Sequence, residues 1–357
     1  MKSVAIGIPV YNGSSYIEQA LNSVYLQGDS SWLQVVVVDD CSTDDTVEVV
    51  KRWLLERDFP EHVKFEQLSQ NGGVSAARNK ILDLVDTDYV LFLDADDVLL
   101  PGCLIPFQEL LARNFDVVYT PLTTWDGNSE AIKEVFSGVV VDVQSELSGI
   151  AFYDYYREHP KTGYHVDASC GIFYRKALLD SYKLRYTEGM IYLEDGEFLG
   201  RFFSVVERSI FQETPFYLYR NNPQSANARY RELWSEAIVR GFLLGLTSLR
   251  DFKQRFPNGS AQALMINLVL AKYCLLPYQS VVCWRGISLS RHRLVHSTMK
   301  RAGFYPITAQ FSHAFFQRLV SMINRSIWLF YSYYWLRLVK NFIASKFGRY
   351  MAYFRLG

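Results

Sequence analysis

The chain is 357 residues long, 49% hydrophobic and 15% aromatic, and its 37 basic and 37 acidic residues cancel; that is enough for a large core plus an appendage. Five cysteines without a Cys-x-x-Cys pair fit reduced thiols, and with a first strand predicted about four residues in, no cleaved signal peptide is expected. The balance of charge hides an asymmetry: Phe252 to Gly357 holds 15 Lys and Arg and not one Asp or Glu, so a tail near +15 follows a body near −15.

Val4-Ala5-Ile6-Gly7-Ile8-Pro9-Val10 is a near-continuous apolar run, the pattern of a strand buried on both faces, and Tyr11-Asn12-Gly13 turns it. Ser15 and Glu18 form a predicted capping box for a helix carrying Ile17, Leu21 and Val24. A second buried strand, Val35-Val36-Val37-Val38, ends in Asp39-Asp40, and Ser42 or Thr43 is predicted to start a helix through Val47, Val50 and Leu54. A short strand near Val63-Lys64-Phe65 leads to Asn71-Gly72-Gly73, where glycines at a helix start allow close backbone approach to a ligand. That helix carries Ile81, Leu82 and Val85, and Tyr89 to Leu93 forms the next strand. Alternation of strand and helix through residue 100 predicts a parallel, doubly wound α/β sheet that binds ligands at the carboxyl ends of its strands.

The last of these strands ends in Asp94-Ala95-Asp96-Asp97. If the strand persists, Asp94 and Asp96 share a face, while Asp97 turns away and caps the segment after it. Crowded carboxylates raise one another's pKa unless a hard cation such as Mg²⁺ or Mn²⁺ intervenes. The plain alternative is an acidic turn that starts a helix at Val98. The first strand lacks Gly-x-Gly-x-x-Gly and the chain lacks Gly-x-x-x-x-Gly-Lys-Ser/Thr, which removes hydride and phosphoryl transfer.

Past residue 100 the pattern is less regular, with strand-like Asp116 to Pro121 and Gly138 to Val143, then Asp167 to Arg175 before a short helix. Glu194-Asp195 falls at a predicted helix start, where the dipole favours ionised carboxylates. The plain alternative has both acids capping the helix and pairing with Arg201 or Arg208.

The blocks Ile8-Pro9-Val10-Tyr11-Asn12-Gly13, Val38-Asp39-Asp40 with Ser42-Thr43-Asp44, Asn71-Gly72-Gly73 with Ala77-Arg78-Asn79, and Leu93-Asp94-Ala95-Asp96-Asp97 together resemble glycosyltransferase family 2 in order and spacing. The resemblance covers residues 1 to about 100, and Glu194-Asp195 is similar to the family's later acidic motif. It implies a GT-A fold, a doubly wound, mostly parallel sheet flanked by helices, with a nucleotide-sugar-binding half at 1–100 and an acceptor-binding half at 101–228. It further implies that Pro9 and Tyr11 line a nucleotide pocket, Asp39 accepts from the uracil ring, Arg78 borders the nucleotide, Asp94 holds ribose or sugar hydroxyls, and Asp96 binds Mn²⁺ or Mg²⁺ at the donor diphosphate. By the same resemblance Asp195 is the general base of an inverting displacement and Glu194 orients acceptor or base. One block departs: in Tyr219-Arg220-Asn221-Asn222-Pro223-Gln224-Ser225, Asn222 stands where many relatives carry a histidine that can ligate the metal. Asp96 is therefore expected to be the only firm protein ligand, while Arg220 suits either diphosphate recognition or a structural place under a loop. No Gln-x-x-Arg-Trp motif suggests a processive synthase.

Residues 229–357 read as a mainly α-helical basic region. Leu264 to Trp284 is apolar but interrupted by Lys272 and Pro277, which fits core helices, and Ser326 to Leu336 is short of the ~20 residues of a membrane span. Residues 317–356 read as amphipathic helices in a membrane interface, with Trp328, Trp335 and the tyrosines at headgroup level and Arg318, Arg325, Arg337, Lys340, Lys346 and Arg349 facing anionic lipid. The alternatives are packing on the acidic body and a homo-oligomer contact; no recognition motif supports nucleic acid. The expected function is transfer of a hexose or N-acetylhexosamine from a UDP-sugar to a hydroxyl of a lipid-linked saccharide in bacterial surface polysaccharide synthesis, cytoplasmic and peripheral on the inner face of the plasma membrane. Transfer to polyprenyl phosphate and a catalytically silent nucleotide-sugar-binding scaffold subunit are the competing expectations.

Overall fold

The computed structural model describes residues 1–27, 31–58, 60–120, 122–125, 133–134, 146–158, 168–212, 216–221, 236–283, 286–308, 314–337 and 339–340. The predicted strand at 138–143, Pro121, Asp167, Asn222 and its neighbours to Ser225, and the tail cations Lys346 and Arg349 lie outside the described residues. The chain divides into two compact units, Met1–Arg229 and Tyr230–Gly357.

In chain order the first unit contains β1 (Val4–Val10), α1 (Ile17–Tyr25), β2 (Leu33–Asp39), α2 (Thr46–Leu55), β3 (Val63–Gln67), α3 (Val74–Leu84), β4 (Tyr89–Phe92), β5 (Val98–Leu99), α4 (Phe107–Ala112), β6 (Val117–Tyr119), β7 (Leu122–Trp125), β8 (Lys133–Glu134), α5 (Gly149–Glu158), β9 (Ile172–Arg175), α6 (Lys176–Ser181), α7 (Glu194–Val205), β10 (Ser209–Phe211) and β11 (Tyr217–Arg220). Seven strands form the main sheet in the order β10-β6-β9-β4-β1-β2-β3, and β5, β11, β7 and β8 form a smaller one. β1 runs parallel to β2 and β4, and β2 to β3, while β9 is antiparallel to both β4 and β6. This is the GT-A-like architecture: an α/β fold with a mostly parallel central sheet flanked by helices.

The apolar runs of β1, β2 and β4 are buried because helices cover both faces of a parallel sheet; Ile8, Val37 and Leu91 are each 0% exposed. Burying such a side chain contributes about 1.5–3 kcal/mol. Pro9 has no N–H to donate, and the β1–β4 ladder ends before it, at Gly7 opposite Phe92. The chain leaves β1 for β2 on one side and returns through β3 to β4 on the other. In a doubly wound sheet such a switch is where ligands bind, at the carboxyl ends of the strands, here β1, β2 and β4.

Several local expectations fail. The Ser15–Glu18 capping box does not form; α1 begins at Ile17, with Tyr16 at its cap position and the Tyr16 and Ile17 N–H groups donating to the Gly13 carbonyl. Ser42 and Thr43 do not start α2, because Ser42 Oγ accepts from Asn12 N–H (2.8 Å) and Thr43 N–H donates to Asn12 Oδ1 (2.8 Å). Asp44 takes over, accepting from the Thr46 N–H at 3.1 Å. β4 stops at Phe92, so Asp94 and Asp96 sit in a turn closed by Asp97 N–H donating to Asp94 O (2.9 Å), and strand alternation does not order them.

The second unit contains α8 (Glu236–Lys253), α9 (Ala261–Gln279), β12 (Val282–Cys283), β13 (Gly286–Ile287), α10 (Leu289–Arg301) and α11 (Ala314–Arg325), with residues 327–337 also helical. Ser260 caps α9, its Oγ accepting from Ala263 N–H at 3.2 Å. By length and composition α9 could cross a membrane, but 67% of its apolar stretch is buried within the protein, as a core helix requires. Asn324 closes the unit like a peptide group, accepting from Ile307 N–H (2.9 Å) and donating to Ile307 O (2.8 Å). Tyr331 is fully buried with its hydroxyl 3.0 Å from His292 Nδ1, so this tyrosine does not belong to an exposed aromatic belt.

Candidate active site

Asp39 ends β2 fully buried. Its Oδ2 accepts from Ser42 N–H (3.0 Å) and Gln67 Nε2 (3.1 Å), whereas its Oδ1 is buried without a partner. A buried acceptor left unpaired costs about 1–3 kcal/mol, so this oxygen suits a ligand's N–H. Asp40 points the other way, its two oxygens accepting the Gly72 and Gly73 N–H groups at 2.7 Å each. Burial raises the Asp40 pKa while those two bonds oppose the rise. Gly73 has φ 82°, a conformation that costs other residues strain. The glycines at the start of α3 therefore tie the loop to β2, and their N–H groups are engaged by Asp40 rather than waiting for a ligand.

Arg78, on α3, is the charge centre of the site. It is 4% exposed; one terminal nitrogen donates to Asp195 Oδ1 at 2.6 Å and the other to Asp94 Oδ1 at 3.0 Å, with Glu194 Oε1 3.6 Å away. Its guanidinium also lies 5.2 Å from the Tyr186 ring centroid. Burial works to lower its pKa, but Asp195 and Asp94 outweigh it and hold the group well above its usual range. This is not a surface ion pair. Asp195 Oδ2 accepts from Ser169 N–H at 3.2 Å, which fixes the second oxygen. Burial raises the Asp195 pKa against the pull of Arg78, and burial together with Asp195 pushes Glu194 up to about 7. Leu193, in a left-handed conformation at φ 60°, turns the chain into α7 directly ahead of both acids.

The expected pairing of these acids with Arg201 or Arg208 does not form, because Arg201 is bound to fully buried Glu197 (2.6 Å) and Arg208 to Glu146 (3.2 Å). Asp97 does not cap a helix either. It is 1% exposed, accepts from the Tyr217 hydroxyl and the Arg220 N–H at 2.7 Å each, and is followed by strand β5. Tyr217 in turn accepts from Asp94 N–H (3.0 Å). Arg220 donates through Nε to the Asp96 carbonyl and through a terminal nitrogen to Gln19 Oε1, both at 2.6 Å, and packs over Trp125 and Tyr16 with centroids at 4.4 and 5.1 Å. It braces the turn that carries Asp96.

A family model, Glycosyl transferase family 2, matches residues 5–182. The chain belongs to glycosyl transferase family 2. Similar family members include a teichuronic acid biosynthesis glycosyltransferase, TuaG of Bacillus subtilis, 37% identical over 26% of this chain and 36% of its own length. The poly(ribitol-phosphate) β-N-acetylglucosaminyltransferase TarS of Staphylococcus aureus is 37% identical over 27% of this chain and 17% of its own. A GalNAc(5)-diNAcBac-PP-undecaprenol β-1,3-glucosyltransferase of Campylobacter jejuni is 30% identical over 42% and 46% respectively. The matched region thus spans less than half of each of these relatives. Among solved structures, S. aureus TarS residues 1–349 in complex with UDP-GlcNAc superimposes with a TM-score of 0.68 at 18% identity, covering 96% of this chain and 92% of that one, a likeness of fold.

In this family 2 glycosyltransferase the structure brings Arg78, Asp94, Glu194 and Asp195 together, and joins Asp96 to Arg220 through the Asp96 carbonyl. Pro9 is buried within β1, and Tyr11 is 50% exposed where β1 ends. Sequence reasoning missed Gln67, Ser169 and Tyr217, and gave Asp97 the wrong task. Asp96 is half-buried beside two other acids, and the nearness of Asp94 and Asp96 adds to burial in holding the Asp97 pKa well above normal. Asp97 is engaged by Tyr217 and Arg220 and Asp94 by Arg78, while carboxylate oxygens such as those of Asp96 are the ligands a hard divalent cation prefers. Among the described residues no three His, Cys, Asp or Glu side chains converge to hold one, so substrate and water oxygens would complete its shell.

Proposed function

We propose that the chain transfers a hexose or N-acetylhexosamine from a UDP-sugar, with inversion, to a hydroxyl of a lipid-linked saccharide in bacterial surface polysaccharide assembly. The observation that carries this reading is the meeting of a donor-side carboxylate, Asp94, and an acceptor-side carboxylate, Asp195, on one buried cation, Arg78. Asp39 Oδ1 offers the acceptor that a uracil imide N–H needs, and Tyr11 and Pro9, at the end of β1, would line the nucleotide pocket. Asp94 would hold sugar or ribose hydroxyls. Asp96 would hold Mn²⁺ or Mg²⁺, which when bound neutralises charge on the departing diphosphate. Arg220 serves the diphosphate end of the site by bracing the Asp96 turn. Asp195 removes the acceptor proton; Arg78 favours its ionised form, and the Ser169 N–H orients it. Glu194 orients acceptor or base. The surface-polymer relatives support the acceptor class, the undecaprenol-linked acceptor named for the Campylobacter protein in particular. With such an acceptor the proposed reaction runs on the cytoplasmic face of the plasma membrane.

UDP release measured across a panel of UDP-sugars and acceptors tests the reading. Asp195→Asn is expected to lower kcat by about 10²–10⁴ while donor binding persists. Turnover that survives the substitution would favour a phosphate acceptor, which needs no base. Donor binding without turnover on any acceptor would favour the silent scaffold.

A further inference from the structure

We infer that the exposed face of helical residues 327–337 is a docking surface for an anionic lipid bilayer. Trp328, Leu329, Trp335 and Leu336 are 49%, 50%, 37% and 60% exposed, and with exposed Ser332 they recur at the i, i+1, i+4, i+7, i+8 spacing of a single helical face. Ile327, Phe330 and Tyr331 occupy another face and are buried within the second unit, so the helix is already anchored when its apolar face meets solvent. An exposed apolar face of this kind marks an interaction site. Its occupant is indicated by charge. Arg318, Arg325, Arg337 and Lys340 are exposed on and beside this helix, and no Asp or Glu occurs from Phe252 to Gly357 to offset them. A second copy docked through this face about a two-fold axis would set these cations against themselves. Anionic headgroups complement them, and tryptophan rings with flanking leucines suit the depth where headgroups meet acyl chains. The surface-seeking group is therefore narrower than the aromatic run suggests: Trp328 and Trp335 take part, Tyr331 does not.

Vesicle binding is read without turnover, so the inference stands or falls apart from the transferase reading. The full chain is sedimented with phosphatidylcholine vesicles with and without phosphatidylglycerol. Wild type should bind the anionic vesicles, more weakly as salt rises, and leave the neutral ones largely unbound. Trp328→Ser with Trp335→Ser, and separately Arg325→Gln with Arg337→Gln and Lys340→Gln, should each weaken partitioning by at least about tenfold. The cation variants alter exposed side chains, and their melting curves should match wild type; Trp328 also packs on His292 and Tyr331, with ring centroids at 5.0 and 5.7 Å, so if the tryptophan pair misfolds, the cation set and the salt series still decide. No binding to anionic vesicles, or variants that bind like wild type, would overturn the inference. A soluble dimer abolished by the tryptophan pair, without vesicle binding, would also overturn it and assign the face to a second copy.

Discussion

The two units use charge in opposite ways. In the first, cations and anions are taken inside and spent on each other: Arg78 on Asp94 and Asp195, Arg201 on Glu197, and Asp97 on Tyr217 and the Arg220 backbone. The second has no acid after Asp251; it joins neutral groups, such as Asn324 with Ile307 and His292 with Tyr331, and its arginines and lysines lie largely at the surface. Buried ion pairs contribute little net stability but make the loss of either partner costly. The first unit is thus held in register by the same groups that the proposed chemistry uses, and the second by packing.

The sharpest challenge to that contrast is Arg78→Met, which strands Asp94, Asp195 and Glu194 beside one another. We expect a loss of about 3–5 kcal/mol in the first unit, seen as a lower denaturant midpoint; a change near zero would mean the cluster is solvated and Arg78 is no charge centre. In the second unit Asn324→Leu removes only two neutral hydrogen bonds, and about 1–2 kcal/mol is expected by the same measurement. An equal or larger cost there would erase the contrast.

A smaller effect carries a sign. Because the Glu194 pKa rises from 4.5 to about 7 on folding, the folded chain binds the extra proton, and stability from this group is present at low pH and lost as pH climbs through that window. Glu194→Gln should therefore raise the melting temperature above pH 7 and change little below pH 4.5. A gain that is the same at both ends would place Glu194 outside the coupled cluster.

Only local features could be read from sequence. The apolar runs of β1, β2 and β4, the glycine start of α3 and the acidic start of α7 arise from patterns a few residues long. The cap expected for α2 failed because Ser42 and Thr43 serve Asn12, 30 and 31 residues away. Ser169 reaches Asp195 across 26 residues, and Tyr217 and Arg220 reach Asp97 across 120 and 123. Contacts of that range leave no spacing to read. Asp97 illustrates the point: its neighbours in sequence suggested a cap, and only the placement of β11 shows a buried brace.

In the proposed function donor recognition rests on the orphaned oxygen of Asp39, and calorimetric titration with UDP, ADP and GDP in Mn²⁺, wild type beside Asp39→Asn, puts that proposal to the test. The asparagine carbonyl can keep the Ser42 and Gln67 bonds while its NH₂ takes the orphaned place and confronts the uracil N–H. Wild type should prefer UDP, and the variant should lose this preference while its melting temperature holds. Equal binding of all three nucleotides by wild type, or undiminished UDP binding by Asp39→Asn, would contradict the assignment.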